Sequence, residues 1–201
     1  MLKQAKIFIQ SVAAGVMIAI GGTVYMICAN KLLGAFMFAV GLYMVCMWKF
    51  NLFTGKVGYV VEDGQMWKSL VQIWLGNLCG VAAVGYAMRA TRMSEKLCAS
   101  AVPAVEGKLA DSLVSAFILG IFCGMLMFMA VKTWQFTNGN PFYAMMPVGI
   151  FIVCGFNHCV ADMFYLHMGC LHISDYLVLI PTTIGNLIGC NIIPWAINQS
   201  S

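Results

Sequence analysis

Long apolar runs, interrupted at fairly regular intervals by short polar clusters, dominate the chain. About 20 apolar residues in a helix cross a bilayer. Six segments are long enough, at roughly 5–28, 32–60, 68–88, 112–134, 142–169 and 174–197. The pattern predicts an all-α integral membrane protein of six transmembrane helices in a single membrane domain covering 1–201. The second and fifth segments are longer than one crossing requires and carry polar residues and glycines inside. In the second these are Lys49, Asn51, Thr54, Gly55, Lys56 and Gly58. In the fifth they lie in the run Gly155-Phe156-Asn157-His158-Cys159-Val160-Ala161-Asp162-Met163. Each of these two segments is therefore expected as two half-helices joined by an unwound piece. Such a piece is tolerated at membrane depth only where its backbone is buried in protein or lines a cavity.

The polar residues of the fifth segment single it out. A charged group at mid-bilayer costs at least ~2.5–3.5 kcal/mol, so these residues normally face a protein interior or an aqueous path. Glu62, Asp63, Glu95, Glu106, Asp111 and Asp175 fall in connections or at span ends; Asp162 alone falls inside a span. On a regular helix Asp162 lies one turn from His158 on the same face, where it could orient the imidazole or favour its charged form.

A repeat links the two broken segments. Gly76-Asn77-Leu78-Cys79-Gly80 in the third span recurs as Gly185-Asn186-Leu187-Ile188-Gly189 in the sixth, 109 positions later. The first and fourth spans begin about 107 positions apart. The chain thus divides into halves of three helices, about 1–90 and 108–201, around a polar loop at 89–111. Three crossings per half force the halves into opposite orientations. Matching interrupted helices in inverted halves point to a transport site near the midplane. The alternative for the glycine motif by itself is close packing of membrane helices through small residues.

Composition agrees: 62% of residues are hydrophobic and 9% charged, against about 25% charged in soluble domains. The net charge of +4 rests on few residues and calls for no nucleic-acid partner. Nine cysteines, none in a CxxC pair, read as small apolar helix residues rather than metal ligands or disulfides. His167 and His172 lie too far from His158 to join it at a metal. Lys3 and Lys6 precede an apolar run too long for a signal peptide, which makes it the first span. Lysines and arginines divide six to five between the two sides, leaving orientation undecided.

These motifs together resemble the formate/nitrite transporter family, over nearly the whole chain. Asn51-Leu52-Phe53-Thr54-Gly55 is similar to the family's loop that interrupts the second helix. Gly155 to Met163 is similar to its Gly-Phe-Glu-His-x-x-Ala-Asn-Met signature, with His158 at the central histidine. Gly120-Ile121-Phe122-Cys123 resembles the fourth-helix motif. The resemblance implies an aquaporin-like 3+3 inverted repeat, a homopentamer with a pore in each protomer, and passage of small monovalent weak-acid anions. Formate leads the substrates, with nitrite, hydrosulfide, lactate or acetate as alternatives. It also implies a multi-pass place in the cell's inner (cytoplasmic) membrane with both termini cytoplasmic, no cofactor and no enzymatic activity.

By spacing from the motifs, the resemblance puts Leu42 and Phe151 at the inner pore constriction and Leu52, Phe53 and Met127 at the outer one. It puts Lys108 in the outer vestibule, drawing anions inward. Three departures stand out: Asn157 where the family has Glu, Gly124 where an Asn faces the histidine, and Asp162 where it has Asn. An anion cannot cross two apolar rings cheaply while charged. It needs a proton or a cation with hydrogen-bond donors, and a histidine can supply either. In the expected mechanism Lys108 attracts the anion, Thr54 and His158 hold it, and a proton accompanies it. An aquaporin-like pore for neutral solutes would carry paired Asn-Pro-Ala motifs, and a haem or quinone oxidoreductase several span histidines. The sequence has neither, nor a hydrolase or nucleotide-binding motif.

Overall fold

The structure, a computed structural model, describes residues 2–60, 63–64, 66–169 and 172–199; Glu62 and Cys170 lie outside the described residues. Among these residues the regular structure is all helical: α1 (Leu2–Ile27), α2 (Lys31–Met47), α3 (Phe53–Lys56), α4 (Trp67–Arg89), α5 (Ser94–Ala110), α6 (Leu113–Phe136), α7 (Pro141–Val153), α8 (Cys159–Met168) and α9 (Leu179–Asn198). Short 3-10 turns follow α3 at Val57–Tyr59 and precede α9 at Ile173–Val178. Four stretches, Leu2–Ile27, Trp67–Arg89, Leu113–Phe136 and Ile173–Asn198, are long and apolar enough to cross a membrane, and α2 and α7 are shorter apolar helices.

Local chemistry sets the helix starts. Asn30 accepts from Leu33 N at 3.0 Å, Ser112 Oγ from Ser115 N at 3.1 Å, and Asn140 from Phe142 N at 3.1 Å, with Pro141 in the first turn. Two pairs of helices make the tightest contacts. A Cβ at Gly80 of α4 would run into Val12 O of α1, and one at Gly189 of α9 into Ile121 O of α6. Lipid gives apolar helices no hydrophobic reason to associate, so close backbone approach through glycine supplies the packing.

α2 and α7 end in the same way. Lys49 (φ 56°) and Gly155 (φ 70°) are both left-handed. Phe50 N donates to Val45 O and Phe156 N to Phe151 O, each at 2.9 Å. This six-to-one bond with a left-handed residue is a Schellman stop. Glycine takes that conformation freely, whereas Lys49 bears about 1 kcal/mol or more for it. A few extended residues follow each stop, and then α3 or α8 begins.

The stretch 89–111, expected as a polar loop, contains the 17-residue helix α5. Its buried stripe Leu97, Ala101 and Val105 is spaced four apart and the helix packs on α8, while Glu95, Lys96 and Glu106 are exposed. Glu95 and Glu106 therefore lie on a helix rather than in a loop.

Candidate functional site

The segments before α3 and α8 meet at the centre of the protein, each held by one buried asparagine. Asn77 Oδ1 accepts from Phe53 N at 2.8 Å, and its Nδ2 donates to Asn51 O at 2.9 Å and Ser11 O at 2.8 Å. Asn186 Oδ1 accepts from Cys159 N, and its Nδ2 donates to Asn157 O and Gly120 O, all at 2.8 Å. Both side chains are fully buried. Each amide thus satisfies the first amide of a half-helix and the carbonyl two residues earlier, pinning the unwound backbone to a neighbouring pair of helices. These are the asparagines of the two glycine motifs. A repeated amide at mid-span was the available signal for this role.

Thr54, in the first turn of α3, and His158, the residue before α8, join the two loops. Thr54 Oγ1 lies 2.8 Å from His158 Nε2, both groups 1% exposed. His158 Nδ1 accepts from Ala161 N at 3.1 Å, so the imidazole caps α8 with its own ring. A backbone N–H can only donate, so this bond assigns the lone pair to Nδ1 and the proton to Nε2. The ring then donates to Thr54, leaving the threonine's hydroxyl hydrogen for another acceptor. The Phe151 ring stacks on the imidazole at 5.4 Å and 17°, and Phe38, one turn before Leu42, packs edge-on against Phe151 at 6.1 Å.

Asp162 was expected beside the imidazole, but it pairs elsewhere. Its carboxylate meets Lys108 Nζ at 3.0 Å, with side-chain exposures of 16% for the lysine and 3% for the aspartate. Both ring nitrogens of His158 are engaged by Thr54 and Ala161 instead. Starting α8 at Cys159 puts His158 in the extended cap position, outside the regular helical stacking that would pair it with Asp162. Lys108 Nζ also donates to Asn157 Oδ1 at 2.5 Å. The lysine placed by resemblance in a loop vestibule thus reaches from α5 into the buried centre.

Two cavities flank the Thr54–His158 contact. One, of about 330 Å³, is lined by Lys108, Asn157, His158, Asp162, Asp111 and Phe151. The other, of about 430 Å³, is lined by Leu52, Gly55, Lys49, Lys56, Asp63 and Tyr59. Lys108 therefore shares a cavity with Phe151, whereas Leu52 borders the opposite one. Phe151, expected on the inner side, thus lies in the same cavity as Lys108, which was expected in the outer vestibule. Leu42 and Met127 are each 1% exposed in the core. Phe53, 4% exposed, borders a third space, an apolar groove with Trp67 and Trp74 of α4 and Ile180 of α9.

Gly124, where the family has an Asn that faces the histidine, lies against α9. A Cβ there would lie 2.5 Å from Asn186 O and 2.9 Å from Cys190 N. It is the contact point of α6 on α9, where any side chain must force the helices apart. Its carbonyl accepts from Cys190 Sγ at 3.1 Å. Among the described residues no group of His, Cys, Asp and Glu is arranged to hold a metal.

Helices of membrane-crossing length around a buried polar centre define a multi-pass membrane protein of the transporter and channel type. Residues 1–198 match the sequence profile described as formate/nitrite transporter. The chain belongs to the formate/nitrite transporter family. It is 27% identical to the formate channel FocA of Haemophilus influenzae, over 80% of this chain and 70% of that protein. Against the formate channel FocA of Escherichia coli K12 the identity is 26%, over 92% and 82%. The fold superposes with a TM-score of 0.86 on a solved pentameric formate channel with formate bound, at 25% identity, covering 98% of this chain and 97% of that one. An FNT family ion channel gives a TM-score of 0.82 at 21% identity, over 98% and 90%. These relatives are channels and transporters, which agrees with the absence of enzyme motifs.

Proposed function

We propose that this protein passes small monovalent weak-acid anions, formate foremost, across a membrane through a pathway in each protomer of a homopentamer. The observation that carries the reading is the buried contact of Thr54 Oγ1 with His158 Nε2 at 2.8 Å, with one cavity lined by His158 and another by Gly55, the neighbour of Thr54. The similarity to a solved pentameric formate channel with formate bound supports both the substrate and the assembly. The single domain, 1–201, comprises six spans in a 3+3 inverted repeat with the second and fifth interrupted. Supporting this are the two Schellman stops, the two asparagine ties, and the same 66-residue separation of Ser11 from Asn77 and of Gly120 from Asn186. The start of α1 and the end of α9 lie at the Leu52 end: Lys3 shares a cavity with Lys56, and Asn198 shares one with Lys132 and Phe136 at the end of α6. Both termini are assigned to the cytoplasmic side of the inner membrane. The Lys108 mouth is then the outer one, with Phe151 and Leu42 the outer apolar set and Leu52, Phe53 and Met127 the inner.

In this mechanism an anion enters beside Lys108 and reaches Thr54 and His158. The threonine hydroxyl, left with its hydrogen by the imidazole's Nε2–H, donates to the anion. A second proton on the ring makes it cationic and lets it return a proton to the anion, which lowers the cost of the apolar sets. Lowering the pH favours the cationic form of the ring. Lys108, Asp162 and Asp111, which share its cavity, set the charge around it.

Proteoliposome flux tests the assignment. Formate flux through the native protein is expected to rise several-fold as pH is lowered from about 7.5 to 5.5, because the supply of protons to the ring and the anion grows. His158→Asn keeps a donor but cannot titrate, and should flatten that dependence and lower the flux. Unchanged flux with an unchanged pH profile would remove the histidine from the mechanism.

A further inference from the structure

Asn157 carries the largest unexplained polar group near the pathway. The residue is 1% exposed, and its Nδ2 has no acceptor among the described residues. Buried amide hydrogens are seldom left unpaired, because each costs the full desolvation of the group. The side chain cannot turn to find a partner cheaply. Its Oδ1 is held by Lys108 Nζ, and the backbone carbonyl of the same residue is held by Asn186 Nδ2 at 2.8 Å. Asn157 lines the 330 Å³ cavity that also contains Lys108, His158 and Asp162. A solute entering that cavity beside Lys108 is the acceptor within reach of this residue once the side chain gives slightly.

The ammonium beside it is in a matching state. A lysine has three N–H donors. Asn157 Oδ1 takes one and Asp162 takes another. A third remains, on the nitrogen adjoining the amide. Asp162 offsets the lysine's charge, so what this corner offers an incoming solute is hydrogen-bond donors in a fixed arrangement rather than net charge.

We propose that Asn157 Nδ2 and the third N–H of Lys108 form a subsite for an anion's oxygen atoms, one residue outside His158. It makes Asn157 a selectivity residue for oxygen-bearing anions over hydrosulfide. The inference rests on the transport reading above and specifies its substrate class. A carboxylate or nitrite presents two strong acceptor oxygens to the two donors. Hydrosulfide presents one diffuse sulfur, a weak acceptor, and leaves the amide poorly satisfied. Sites built to hydrogen-bond a ligand discriminate strongly against one that cannot complete the bonds.

Two substitutions separate this role from a structural one. Asn157→Ala removes the donor and also the acceptor that holds Lys108. Asn157→Asp keeps an acceptor for Lys108 but has no donor. Competitive flux of formate against hydrosulfide is measured in proteoliposomes, with each variant's size-exclusion profile checked first. The half-saturating formate concentration is expected to rise about five- to tenfold in both variants, the worth of roughly one hydrogen bond. The formate-over-hydrosulfide preference should fall in step. If Asn157→Asp keeps the native preference, Asn157 only positions Lys108 and the subsite is overturned. Should Ala fail to fold, the Asp variant decides alone. Native protein that carries neither anion overturns the transport reading itself, a result distinct from native transport with unaltered selectivity in the variants.

Discussion

At the scale of single residues the centre is governed by which charge finds which partner. Lys108 and Asp162 are a nearly buried pair, and removing one member of such a pair costs more than removing both. Lys108→Met leaves the 3%-exposed carboxylate without a cation. It should destabilise the protein by about 2–3 kcal/mol, below the ~3–5 of a fully buried pair because the lysine keeps some solvent. Adding Asp162→Asn should recover most of that loss. Thermal unfolding in detergent measures both, and a double variant no more stable than the single one would mean the pair is not the source. Asp162 shows where residue-level reading of the sequence stopped. A helical spacing of four joins it to His158 only if α8 has begun, and α8 begins one residue after the histidine.

At the scale of elements, hydropathy made the four long apolar helices legible and left the ends of α2 and α7 to be inferred from polar residues. Lys49 hides one of the breaks, because a lysine carries no sign that it takes a left-handed conformation, whereas Gly155 does. Helix α5 was not legible as a helix, since its charged residues and Pro103 resemble a loop. The four-residue spacing of Leu97, Ala101 and Val105 was the signal present. The packing of Gly124 against α9 was not legible for a related reason. Motif spacing says which residue stands at a position but not which side of the helix its neighbours occupy. The structure predicts that Gly124→Asn will not return an amide to the histidine. Its side chain would meet Asn186 O and Cys190 N, forcing α6 from α9 at about 1–3 kcal/mol or more. A lower melting temperature is expected, and an unaltered or raised one would mean the two helices yield there easily.

At the scale of the whole molecule the two ends differ electrostatically, as the sequence's near-even charge count does not suggest. The Lys108 cavity contains one cation and the carboxylates Asp111 and Asp162. The opposite cavity contains Lys49 and Lys56 with Asp63. Clefts lined by one sign of charge concentrate counter-ions and raise entry rates. Replacing Lys49 and Lys56 together by Met should weaken apparent formate affinity about two- to fivefold when formate is offered from the Leu52 end, with a smaller effect from the other. Oriented vesicles of both senses, with low and high salt compared, would reveal it. Equal effects from both ends would place the lysines' influence elsewhere. This asymmetry is invisible in a linear count, because Lys49 and Lys56 follow α2 in sequence but come together only where the chain stops and restarts.

The imidazole cap on α8 has one more consequence. His158 Nδ1 can accept from Ala161 N or carry a proton of its own, but it cannot do both. A proton arriving at that nitrogen therefore releases one backbone amide, and Ala161 lines the same cavity as Lys108 and Asn157. The ring and the helix end then behave as an exchange. One hydrogen ion taken up at Nδ1 would set loose one backbone donor beside the cavity that Lys108 and Asn157 line.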